Sequence, residues 1–155
     1  MLSLAHATTG AVLASHIGNP LLSIPIILAS HYLEDAVCHY DAGTGLSSGR
    51  KSRRTALILG LIDLILAAIF ILVMYPPTDF SLSSLLSHLS SLSVFGAFVG
   101  LIPDFLEAPR NFLHYEPKWL KPINKFHASF HHSIPNIAAG LAPQVILLTL
   151  LWIFR

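Results

Sequence analysis

Charge is what this sequence has least of: Asp, Glu, Lys and Arg make up 11% of its 155 residues, while 54% are hydrophobic. A soluble domain carries roughly a quarter charged residues. Too few remain here to cover a water-facing surface, and the mean hydropathy is +0.67. Basic residues are also thin, and a net charge of +1 excludes a nucleic-acid partner, because phosphate binding needs a concentrated basic face. The single cysteine, Cys38, excludes an intrachain disulfide framework. No basic stretch precedes the first apolar run, which His6 interrupts, so a cleaved signal peptide is not expected.

What is present points to an all-α chain, a polytopic membrane helical bundle of about four to five transmembrane helices forming one integral membrane domain over residues 1–155. Apolar segments occupy residues 2–17, 21–38, 55–75, 88–106 and 134–154, each near the roughly 20 residues that cross a bilayer. Gly18-Asn19-Pro20 is a turn signal, which makes residues 2–39 a tight antiparallel helical hairpin. Residues 41–54 are a Gly/Ser/Arg-rich basic loop, and Pro76-Pro77 ends the third span. The Ser/Leu-rich residues 80–93 read as an interfacial helix entering the fourth span. Residues 107–133 are polar, aromatic and His-rich, with Tyr115 and Trp119 suited to a membrane interface.

Arg50, Lys51, Arg53 and Arg54 fall between spans two and three, and Arg110, Lys118, Lys121 and Lys125 between spans four and five. The loop between spans three and four has no basic residue. The positive-inside rule therefore places the N-terminus and both basic loops in the cytoplasm and the C-terminus outside. If the first segment only dips into the membrane, the N-terminus moves out while the basic loops stay inside.

The chemistry-bearing residues gather on that same side. His31, Asp35 and His39 are spaced i, i+4, i+8, one face of the second helix, and imidazole and carboxylate at this spacing grip divalent ions. Glu34 is adjacent but on another face. His6 lies about as far before the Gly18-Asn19-Pro20 turn as His31 lies after it, so the hairpin brings the two to one depth. An ionisable group at that depth is costly and faces a partner or a cavity. Asp104 and Glu107, three apart beside Pro103 and Pro109, share a face at the end of the fourth span. His127 and His131 have the i, i+4 pairing of helical zinc sites, without the Glu of a His-Glu-x-x-His protease. Asp63 stands in the middle of the third span, where it either orients a ligand histidine or serves a proton path. His16, His88 and His114 lack partners at useful spacing.

His6-Ala-Thr-Thr-Gly10, His31-Tyr-Leu-Glu-Asp35 with His39, Pro103-Asp104, and His127-x-x-x-His131-His132-Ser133 resemble, in this order along most of the chain, the predicted membrane-bound metal-dependent hydrolases of bacterial inner membranes. That group tends to carry an Asp-x-Asp-His type cluster, from which His31, Asp35 and His39 depart. The resemblance implies a multi-helix protein of the bacterial inner membrane, a divalent metal and a hydrolytic activity.

The resulting expectation is a membrane-embedded metal-dependent hydrolase with its site at the cytoplasmic face. His6, His31, Asp35, His39, Asp104, His127 and His131 supply ligands for one or two divalent ions, zinc foremost. Glu107 or Glu34 handles the proton. Such a site suits a phosphoester, or a lipid or other amphipathic substrate drawn from the bilayer, and the basic loop could hold an anionic headgroup. The alternatives are a transporter of metal ions or protons, which Asp63 favours, and a structural membrane protein stapled by metal. Against transport, no internal repeat or outer-side helix interruption is present.

Overall fold

The Gly18-Asn19-Pro20 turn is built as its residues dictate. Helix α1 (Ser3–Ile17) ends at Gly18, whose φ of 69° is the left-handed conformation that glycine adopts without strain. The Asn19 side chain accepts the backbone N–H groups of Leu21 and Leu22 and so caps α2 (Pro20–Ala36). Pro20 takes the first helical position, where its missing donor costs nothing. The resulting hairpin stacks the rings of His6 and His31 at 3.8 Å between centroids, the register that the symmetry of the turn predicts.

The computed structural model describes residues 1–155, all-helical and without strands. After the hairpin come α3 (Arg53–Met74), α4 (Leu82–Leu89), α5 (Leu92–Leu113), α6 (Lys121–Phe130) and α7 (Ile137–Ile153). Serine or asparagine side chains cap most starts: Ser52 accepts Thr55 N–H, Ser81 accepts Ser84 N–H, Ser91 accepts Val94 N–H and Asn136 accepts Ala139 N–H. The Ser/Leu-rich stretch is thus a short helix, α4, with a separate start for the helix after it.

Three sequence expectations change. First, α2 stops at Ala36, before His39. Val37 to Tyr40 are poor helix formers and find a partner elsewhere: His39 and Ser133 form an isolated parallel bridge, with His39 N–H donating to His132 O and Ile134 N–H to His39 O. His39 is therefore brought beside Asp35 by a strand-like contact, not by the helix face. Second, the helix expected over 88–106 begins at Leu92 and runs through Pro103 and Pro109 to Leu113, taking in the first part of the 107–133 segment. Each proline removes one hydrogen bond, which the tightly packed α5 tolerates. Third, the apolar character of α1 serves protein contacts: nine of its 15 residues are buried.

α1 is the central element, packed against α2, α3, α5 and α7. Its crossing with α5 is backbone against backbone. A Cβ added at Gly10 or at Gly96 would run into the carbonyl of the other, and one at Gly100 into the His6 carbonyl. Small residues four apart let two helices approach in this way. Ala7, Ala11, Ala67, Ile71, Ala97 and Leu101 close the adjoining core.

α3 and α5, each of 22 residues, are long and apolar enough to cross a membrane. α7 is equally apolar but has 17 residues, and α1 and α2 have 15 and 17.

Candidate metal centre

Asp35 sits at the last turn of α2, fully buried, with imidazoles on every side. Its Oδ2 lies 2.8 Å from His127 Nε2 and 3.4 Å from His31 Nε2. Its Oδ1 lies 3.2 Å from His6 Nε2 and 3.8 Å from His39 Nε2. The Met1 nitrogen also contacts Asp35 Oδ1 and is 3.0 Å from His6 Nε2. Asp104 Oδ1 from α5 completes this side, 3.8 Å from both His31 Nε2 and His127 Nε2. Ligand-capable atoms of His6, His31, Asp35 and Asp104 all fall within 4.8 Å of one another, as do those of Asp35, His39 and His131. Each group of side chains could hold a metal ion.

The seven residues expected as ligands thus converge, from α1, α2, α5, α6 and the two segments joined by the bridge. An eighth, Asp41, was not singled out from the sequence. Its Oδ2 is 2.8 Å from His131 Nε2 and 3.1 Å from His39 Nε2, and it is buried. Thr44 fixes it, the backbone N–H donating to Asp41 Oδ1 at 2.6 Å and the hydroxyl donating to the same oxygen at 3.0 Å. An aspartate followed three residues later by threonine at a loop entry is the only sequence signal, and it reads equally as an ordinary turn. Burial alone would raise the Asp41 carboxyl, but the His131 and His39 imidazoles beside it outweigh that and hold the group well below the usual carboxylate range.

The far sides of the rings explain their aim. His31 Nδ1 lies 2.8 Å from the Gly100 carbonyl and His39 Nδ1 2.8 Å from the Val37 carbonyl. A carbonyl can only accept, so each Nδ1 carries a proton, and when such a ring is neutral its lone pair is at Nε2. That is how protein ligands to metal are oriented. Behind His6, Glu34 Oε2 is 2.8 Å from Nδ1, near but misaligned for a hydrogen bond, and both atoms are otherwise buried without a partner.

No family model, curated protein or solved structure matches the chain. The fit to a metal therefore rests on the donors themselves, and they fit. His31 Nε2 faces His127 Nε2 at 3.3 Å, and His39 Nε2 faces His131 Nε2 at 3.2 Å. Facing nitrogens share at most one proton, and each pair also faces a carboxylate. Buried donors gathered in this way could be satisfied by a cation between them.

The three proposed catalytic carboxylates lie in different places. Glu107 Oε2 is 3.6 Å from His127 Nδ1, while Oε1 pairs with Arg110. Glu34 sits behind His6. Asp63 faces no histidine: its Oδ2 accepts Ser3 N–H at 2.6 Å and Oδ1 accepts Leu4 N–H at 3.3 Å. α1 has no side-chain cap of its own, and Asp63 supplies one from α3 by satisfying its first free donors. Gln144 of α7 was also missed. Its side chain accepts Leu2 N–H and donates to the Tyr40 and Gly140 carbonyls, tying the start of α1 to the segment that carries His39 and Asp41. His16, whose Nδ1 contacts the Val12 carbonyl, stays apart from the centre.

A cavity of about 740 Å³ borders the centre, with Asp41, Asp104, Glu107 and His131 on its wall. Arg53, Arg110 and Asn111 add polar groups, and Leu57, Leu61, Leu64, Phe105 and Phe112 an apolar side. The Asp104 and His131 side chains are 31% and 29% exposed, so this is the side from which water reaches the ligands.

Proposed function

We propose that this protein is a membrane-embedded, metal-dependent hydrolase of the bacterial inner membrane. The observation that carries the reading is Asp35, a buried carboxylate encircled by imidazole Nε2 atoms and bordered by a cavity. Histidine nitrogens with carboxylate oxygens suit zinc. A divalent ion held there by the His31, His127, Asp35 and Asp104 side chains would supply Lewis-acid activation of water at neutral pH. Glu107, at the cavity wall beside His127, takes and returns the proton. Glu34 lies behind His6, away from the cavity wall.

A bilayer setting is supported by what the helices leave uncovered. On α3, Ile58, Leu61, Ile62, Ile65, Ile69 and Val73 are exposed, as are Val145, Ile146, Leu150 and Ile153 on α7. An apolar surface of this extent is poorly suited to water. With the basic loops in the cytoplasm, Asp35, Asp104, His127 and His131 all lie at cytoplasmic helix ends. α1 then lies enclosed among its neighbours, while α2 packs on α1 and α5 and leaves Leu21, Leu22, Ile26 and Leu33 exposed as further lipid-facing surface, consistent with a bundle of four to five membrane segments.

The substrate class follows from the cavity. Arg110 is paired with Glu107, but Arg53 Nη1 is shielded from water without a hydrogen-bond partner. An unpaired guanidinium beside an apolar wall and a centre of metal ligands favours an anionic amphiphile, with its phosphate held by Arg53. The test is hydrolysis by detergent-purified protein reconstituted with zinc, assayed on phosphodiester and short-chain phospholipid substrates. Turnover that depends on metal and falls about a hundredfold or more in Glu107→Gln, the lower end of what a general acid–base group contributes, supports the reading. A metal-loaded protein inert toward phosphoester, carboxylic ester and amide alike would contradict it.

A further inference from the structure

We propose that the centre holds two divalent ions bridged by Asp35, with Asp41 a ligand of the second. The inference rests on the metal reading above and adds the count, the partition of ligands and the new residue.

Apart from His6 Nε2, which meets Asp35 Oδ1 at 3.2 Å together with the Met1 nitrogen, the donors divide into two sets around the two oxygens of Asp35. In the first, His31 Nε2, His127 Nε2, Asp35 Oδ2 and Asp104 Oδ1 are separated by 3.3 Å (His31 to His127), 3.4 and 2.8 Å (each to Asp35) and 3.8 Å (each to Asp104). In the second, His39 Nε2 and His131 Nε2 are 3.2 Å apart, Asp41 Oδ2 is 3.1 and 2.8 Å from them, and Asp35 Oδ1 is 3.8 Å from His39. Bonds of roughly 2.0–2.1 Å in tetrahedral array put neighbouring donors roughly 3.3 Å apart. Both sets are already close to that spacing.

One four-coordinate ion cannot use all these donors. The surplus would leave His39, His131 and Asp41 as a buried polar cluster with no assigned task, yet they are held as carefully as the first set. His39 is oriented through Nδ1 by the Val37 carbonyl, and Asp41 through Oδ1 by Thr44. A carboxylate that presents one oxygen to each set is the bridge that a pair of ions requires, and such pairs sit roughly 3.5–4 Å apart. His131 and Asp41 of the second set and Asp104 of the first line the cavity, so both ions would face the side open to water and substrate. Two ions clamp the attacking and leaving oxygens of a displacement at phosphorus, which narrows the substrate to a phosphoester.

The test is metal stoichiometry, read without any substrate. Purified protein is stripped with chelator and titrated with Mn²⁺ or Zn²⁺ by calorimetry, with elemental analysis after removal of excess ion. Wild type takes up about two equivalents, as a two-ion site requires. Asp41→Asn and, separately, His131→Gln take up about one, while His127→Gln keeps the second ion and loses the first. Mn²⁺-loaded wild type shows an exchange-coupled electron paramagnetic resonance signal that Asp41→Asn abolishes. Circular dichroism confirms that each variant is folded. If Asp41→Asn is not, the part-exposed His131→Gln carries the test. A single equivalent in wild type, unchanged in either variant, overturns the second ion and leaves the one-ion reading standing. No uptake by any protein overturns both.

Discussion

Asp35, His6 and His31 show how far single residues could be read. The pairing of His6 with His31 was legible because Gly18-Asn19-Pro20 fixes the hairpin register, and register alone sets which side chains stack. Asp41 was not legible: its role comes from the loop placing it against His131, ninety residues away in sequence, and no local spacing reports that. Asp63 shows a role that the sequence did not reveal. A carboxylate in mid-helix needs a partner, and here it is the open N-terminus of α1, with no histidine beside it. Asp63→Asn should therefore leave metal content unchanged and lower stability by about 1 kcal/mol, the usual worth of a helix cap. Thermal unfolding and elemental analysis on the same sample check this. Loss of metal with unchanged stability would restore Asp63 to the centre.

Helices were found by their apolar runs, and their ends were the uncertain part. Pro103 and Pro109 suggested a stop, yet α5 continues to Leu113 because its α1-facing side is locked by close packing. The end of α2 went the other way, since the bridge to Ser133 captures the backbone that a longer helix would have used. Hydrophobicity could not distinguish a helix buried by neighbours from one facing lipid, which is why α1 read as a plain span. The α1–α5 contact makes a specific prediction. Gly96→Ala places a methyl against the Gly10 carbonyl, and overpacking of this kind costs roughly 1–3 kcal/mol. Because α5 also supplies Asp104 and the Gly100 carbonyl that orients His31, metal affinity should fall along with the melting temperature. An unchanged melting temperature would mean that the helices separate more easily than their backbone contact implies.

Across the molecule, the polar side chains of α1, α2, α5 and α6 meet at one end of the bundle, and the apolar faces of α3 and α7 look outward. The orientation derived from Arg and Lys placement then has a direct readout in Cys38, the only cysteine and an exposed one, at the same end as Asp35. A membrane-impermeant maleimide should label it in inverted membrane vesicles and not in intact spheroplasts. The reverse pattern would place the centre outside the cell. Metal should matter to the whole fold as well, since an ion bound only by the native state at a hundred times its dissociation constant adds about 2.7 kcal/mol.

The central claim, that the imidazoles around Asp35 exist to hold a divalent ion, is met most directly by elemental analysis of untagged, detergent-purified wild type beside Asp35→Ala. Near-stoichiometric zinc or a similar metal in wild type, absent from a variant that is still helical by circular dichroism, is the predicted result. Wild type that stays free of metal after reconstitution with excess ions would contradict it and leave the histidines as a buried polar network.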